Sequence, residues 1–183
     1  MTDDNLRHAS VRGEGGMRFR GGVPDGPPLL VDADGEQSPG PMVTLLVSAA
    51  ACSGADAVGI LQKMQVTLQE FSAEVTGRRA PDHPRRFLTI HFKYRMRGEG
   101  LDEAKARRAI DLSHQKYCSV LHSLNSDIAH PSTTVLTEST MMATTLPAIY
   151  DGPRLANSGE IIGDGIALMP KSDLDDHYLG KHL

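Results

Sequence analysis

Between residues 86 and 97 the chain alternates without a break. Leu88, Ile90, Phe92, Tyr94 and Met96 are apolar, and Thr89, His91, Lys93, Arg95 and Arg97 between them are polar. Successive side chains on a strand point to opposite faces, so this pattern predicts an antiparallel strand with one dry face and one wet face. Upstream, Pro39, Gly40 and Pro41 announce a helix over about 42–65, because proline suits a helix's first turn. Its middle, Ser48-Ala49-Ala50-Ala51-Cys52-Ser53-Gly54-Ala55, consists of small residues that let another backbone approach closely. Apolar nearly all round, this half of the helix is expected to be central and buried. A strand near 66–78 and a turn at Pro81, Asp82, His83 and Pro84 lead into the alternating segment. After Gly100 a second helix begins with Asp102 as its N-cap, carries Ala106, Ile110 and Leu112, and continues helically past Ser113 through Tyr117, Cys118, Leu121 and Leu124. A strand near 133–137 follows.

Residues 11–35 read as short strands joined by turns, with punctuation at Gly15-Gly16, Gly21-Gly22 and Pro27-Pro28. Met17 and Phe19 alternate with Arg18 and Arg20, which puts both arginines on one face of a strand. Residues 1–10 form a polar, flexible N-terminus, and the body runs over 11–140. From 141 to 183 the pattern dissolves into Gly, Pro and Asp, yet Ile161, Ile162, Ile166, Leu168 and Met169 are too apolar for full disorder. This C-terminal extension is therefore expected to pack on the body. Strands and helices are segregated and do not alternate strictly, so the fold class is α+β.

Composition narrows the function classes. A chain of 183 residues suits one domain and needs no disulfide or metal to hold its core. A net charge of −4 and the absence of Trp argue against a nucleic-acid partner. The start, MTDDNLRHAS, is acidic where a signal peptide is basic, and the apolar run Pro41 to Cys52 falls short of the roughly 20 residues that cross a bilayer. A cytoplasmic protein with no membrane partner is expected. There thiols stay reduced, which draws attention to Cys52 and Cys118 as catalytic or metal-binding groups more than as structural ones.

Other chemistry-bearing clusters read more simply. His114, Cys118 and His122 recur every fourth residue and would share a helix face. Ligands at that spacing usually come as one adjacent pair, so packing or solvent-facing histidines are expected and no metal. Arg78, Arg79, Arg85 and Arg86 flank a turn and read as a solvated hairpin tip, and Asp173, Asp175, Asp176 and His177 as a solvated tail. No cofactor is expected.

Two words along the chain, AAACSGADAV around Cys52 and LSHQKYCSV ending near Cys118, resemble those of the OsmC family (osmotically inducible protein C and the organic hydroperoxide resistance proteins). They occur in the family's order and at its distance, and GEGGMRFRGG near the start extends the similarity over 11 to about 138. The resemblance implies an intertwined homodimer, with antiparallel sheets wrapped around two central cysteine-bearing helices. It implies Cys52 as the peroxidatic thiol and Cys118 as the resolving thiol that converts the Cys52 sulfenate to a disulfide, with Arg18, or Arg20 second, favouring the thiolate. The implied substrate is an organic hydroperoxide in an apolar pocket lined by Leu45, Leu46, Val58 or Met64, and the regenerating partner is an unknown thiol reductant. Two positions depart from the family pattern: Val43 stands where an arginine-clamping glutamate is found, and Gln115 replaces the glutamate of the second word. Asp56, an acid often present in relatives closest to this pattern, would raise a neighbouring thiol's pKa if ionised, so it is expected to cap or pair structurally. The expected function is thiol-dependent hydroperoxide reduction in oxidative stress defence. The open alternative is a non-catalytic dimer of the same fold that binds an apolar small molecule.

Overall fold

The computed structural model describes residues 5–137. The proposed C-terminal extension lies outside them. The element order is β1 (Ser10–Gly13), β2 (Arg18–Gly22), β3 (Leu29–Asp32), α1 (Pro41–Lys63), β4 (Thr67–Arg79), β5 (Phe87–Glu99), α2 (Glu103–Leu112), a π turn (Ser113–Tyr117), α3 (Ser119–His122) and β6 (Ser132–Leu136).

The core is built on β5. Ile90, Phe92, Tyr94 and Met96 all point inward and are fully buried, as the alternation requires. At the strand's start Phe87, not Leu88, turns inward, because the ladder slips by one residue between Arg78 and Arg79 of β4. The wet face pairs charges across strands: Arg95 and Lys93 face Glu74, and Arg97 faces Glu70. Exposed pairs of this kind contribute little each, so the dry face dominates the energetics. β4 runs antiparallel to β5 and β6 parallel to it, while β1, β2 and β3 form a separate antiparallel sheet.

Helix α1 lies across β4 and against α2. The small residues do what their size allows. Ala49 and Ala57 are fully buried, and a Cβ on Gly54 would come within 2.9 Å of the Phe71 ring. The helix is not covered all round, however. Val43 and Val47 are 52% and 58% exposed, and Ala51 and Ala55, one and two turns further on, are exposed as well. At 23 residues, α1 exceeds the apolar run read from the sequence and is long and apolar enough to cross a membrane. Here it serves as the helix on which β4, α2 and the following turn pack.

The largest departure from expectation lies at Cys118. The helical path does not run through it. The chain leaves α2 in a π turn, in which the Cys118 amide bonds the Ser113 carbonyl at 2.8 Å, and Cys118 itself is extended (φ −66°, ψ 98°). α3 then starts afresh at Ser119. A π turn inserts one extra residue into the helical ladder and is often found at functional sites.

Candidate active site

Cys52 and Cys118 reach one another across this break. Cys52 sits midway along α1 and is partly exposed, whereas Cys118 is fully buried, and both are free thiols. Asp56, one turn after Cys52 on α1, completes the cluster. One carboxylate oxygen and the two sulfurs all lie within 4.8 Å of one another. Sequence reasoning brought the two cysteines together, and the structure places them side by side.

Ser113 ties the π turn to α1. Its hydroxyl donates toward the Ser53 carbonyl at 3.1 Å and toward Asp56 Oδ2 at 3.2 Å. A second tie runs deeper. Ser53 Oγ lies 2.6 Å from the Tyr94 hydroxyl, which lies 2.9 Å from His114 Nε2. The His114 ring also stands edge-on to the His130 ring, with centroids 5.6 Å apart. The chain Ser53–Tyr94–His114 is thus satisfied throughout, as a buried polar network must be. These residues did not figure as site residues in the sequence reading. The available signal was Tyr94 itself, a hydroxyl on an otherwise dry strand face that has to find a partner.

Electrostatics sets the state of the buried thiol. Burial, then the neighbouring Cys52 and Asp56, push the Cys118 thiol up to about 12, so it keeps its proton at neutral pH. Burial raises Asp56 above the usual carboxylate range, and the Ser113 bond partly offsets this. Burial also drives His114 down to about 4, with His130 adding to the effect, so its ring is neutral. Two thiols beside an acid form a set that can exchange protons. The His114, Cys118 and His122 face does not form: His114 turns to Tyr94, while His122 is exposed beyond the break.

Arg18 is placed elsewhere within the chain, where its guanidinium donates to Gln37 Oε1 at 2.8 Å. Arg20 pairs with Glu14. Val43 is exposed in the first turn of α1 and offers no carboxylate to either. Leu45, Leu46, Val58 and Met64 pack partly buried against the core. A cavity of about 390 Å³ opens instead beside Met96, Leu101 and Leu136, with neither cysteine in its lining. Arg86 makes a two-pronged ion pair with Asp127, so the arginine cluster at the β4–β5 turn is partly tied down.

An α+β body of this topology is shared with proteins of the OsmC-like family. The model of the OsmC-like protein family matches residues 33–130. The chain is 36% identical over 113 residues to protein YhfA of Escherichia coli K12, covering 61% of this chain and 84% of that one. A hypothetical protein of Aquifex aeolicus VF5 is 27% identical and superposes with a TM-score of 0.62, over 73% of this chain and 99% of its own. The organic hydroperoxide resistance protein OhrB of Bacillus subtilis shares the fold at 18% identity and a TM-score of 0.50, over 70% of this chain and 98% of its own. The chain belongs to the OsmC family.

Proposed function

We propose that this protein reduces organic hydroperoxides, with Cys52 as the attacking thiol and Cys118 as the resolving thiol. The observation that carries the reading is the pairing of a partly exposed cysteine with a buried, protonated one, their sulfurs within 4.8 Å. Cys52 attacks the distal oxygen of the hydroperoxide, the O–O bond breaks, and the alcohol departs, leaving Cys52 as a sulfenic acid. Cys118 then attacks that sulfur, water leaves, and the disulfide holds the two electrons that a thiol reductant later restores. A disulfide needs sulfurs about 2.05 Å apart, so the pair must close further during this step. Cys118 stands outside the helical ladder, where a small backbone shift breaks few hydrogen bonds. Family membership supports the substrate class, since OhrB is an organic hydroperoxide resistance protein.

In the same reading the protein is a cytoplasmic homodimer. Val43, Val47, Ala51 and Ala55 form an uncovered stripe on α1, and Phe19 and Leu29 of the thin N-terminal sheet are 38% and 52% exposed. Covering both with a second copy removes them from water, and obligate interfaces of this kind bury roughly 2,000 Å² or more. Sedimentation should find a dimer at micromolar concentration, and a compact monomer would refute it.

One observation favours the alternative of a non-catalytic dimer that binds an apolar small molecule. With Val43 in place of an acid, Arg18 on Gln37 and Arg20 on Glu14, neither candidate arginine is clamped at the start of α1 among the described residues. Consumption of cumene hydroperoxide and hydrogen peroxide by the reduced protein decides between them. The peroxidase reading expects the organic peroxide to be consumed faster and Cys52→Ser to abolish turnover. Equal rates with and without Cys52 would select the alternative.

A further inference from the structure

We infer that Asp56 is the proton carrier of the second half-reaction, taking the proton from Cys118 as the disulfide forms and passing it to the departing hydroxyl. The inference rests on the peroxidase reading and deepens it. Read from the sequence, Asp56 is a structural acid that would hinder a thiolate. Its position gives it another use.

A sulfur nucleophile reacts as the thiolate. Cys118 is the wrong kind of thiol for this on its own, because it is fully buried and its proton is held up to about 12. Resolution at neutral pH therefore needs a base within reach of its proton. Among the described residues, the acidic and thiol groups that converge here are Cys52, Cys118 and Asp56. From β5 the facing group is Tyr94, whose hydroxyl is held by Ser53 and whose proton burial retains. His114, the nearby imidazole, has Nε2 engaged by the Tyr94 hydroxyl and packs edge-on against the His130 ring. Asp56 remains. A separation within 4.8 Å is spanned by one bridging water or a rotamer change, the reach a general base requires. Ser113 donates to its Oδ2 and holds the carboxylate in the cleft. Burial raises the acid toward neutrality, which makes it a better proton acceptor than an exposed carboxylate.

The step balances without another reagent. The Cys118 S–H bond breaks and its proton moves to the Asp56 carboxylate. The S–S bond forms as the S–O bond of the Cys52 sulfenic acid breaks, and the expelled hydroxyl takes the proton from Asp56 and leaves as water. Asp56 ends as the carboxylate it was. Cys118 has been oxidised, and the sulfenic acid has been reduced to the disulfide.

The test is a single-turnover experiment on the reduced full-length protein with one equivalent of cumene hydroperoxide. Sulfenic acid is followed by dimedone capture and the disulfide by loss of free thiol. Asp56→Asn should slow disulfide closure about 100-fold or more relative to sulfenic acid formation in the same protein, the usual share of a general base. In the wild type the closure rate should level off above the Asp56 titration. In the variant it should climb about tenfold per pH unit as hydroxide takes over. Asp56→Glu should restore part of the closure rate. Ser113→Ala, which removes the bond that lowers the Asp56 pKa, should move the wild-type inflection to higher pH. These two variants keep the test open if Asp56→Asn fails to fold. Closure by Asp56→Asn at the wild-type rate, or slowing by the same factor at every pH, would overturn the assignment while leaving the peroxidase intact. A wild-type protein that forms no sulfenic acid would overturn both.

Discussion

The Tyr94 hydroxyl and His114 Nε2 lie 2.9 Å apart, and this contact fastens the core strand to the segment that ends at Cys118. His114 is buried, and its pKa falls to about 4 from an unfolded value near 6.5. A depressed folded value means that the stabilising contribution is present above about pH 6.5 and is lost as the pH falls toward 4. A drop of that size corresponds to a contribution on the order of 3 kcal/mol. Melting curves between pH 7 and 4 should show stability falling over this window, and His114→Asn should flatten the slope. Equal slopes in the two proteins would mean that His114 does not titrate with unfolding.

Gly54 tests why the middle of α1 is built from small residues. Replacing a helical glycine by a residue with a side chain ordinarily favours the helix, by up to about 1 kcal/mol for alanine. Here the first added carbon meets the Phe71 ring at 2.9 Å. Phe71 in turn packs against Tyr94, with ring centroids 5.8 Å apart, so it has little room to withdraw. Gly54→Val should therefore lower stability by about 1–3 kcal/mol, the range for overpacking. Urea denaturation of the variant checks this, and an unchanged or raised midpoint would contradict it.

Val43 tests the departure at the start of α1. A glutamate there would give Arg18 or Arg20 a carboxylate to hold by short charge-assisted hydrogen bonds, and a held guanidinium stabilises the reacting anion. Val43→Glu should raise the rate with cumene hydroperoxide on the order of tenfold, since about 1.4 kcal/mol is a factor of ten. The gain should vanish when Arg18→Ala is added. If it persists in Arg18→Ala but vanishes in Arg20→Ala, the second arginine is the partner. No gain in any background would mean that the Cys52 site draws on neither.

Sequence pattern and structure agree where a local period carries the information. β5 alternates and α2 has Asp102 as an N-cap bonded to the Lys105 amide, so both were legible. α1 ends within two residues of the expected position. The break at Cys118 was not legible, because no Gly or Pro marks it. It is made by tertiary ties, from Ser113 to Ser53 and Asp56 and from His114 to Tyr94, which act across about 60 and 20 residues of chain. The two cysteines were legible through their flanking words. The acid between them was visible too, but its use depends on which thiol is buried, and no local pattern states that.

The central claim is that Cys52 and Cys118 act as one redox pair. It is tested most directly by treating the reduced protein with one equivalent of cumene hydroperoxide, quenching with an alkylating agent, and mapping the peptides by mass. The pair predicts a Cys52–Cys118 bridge within one subunit and the loss of two hydrogen atoms per chain. In Cys118→Ser, Cys52 should instead stop at the sulfenic acid or oxidise further. Two alkylated free thiols after peroxide treatment, or bridges only between subunits, would contradict the account.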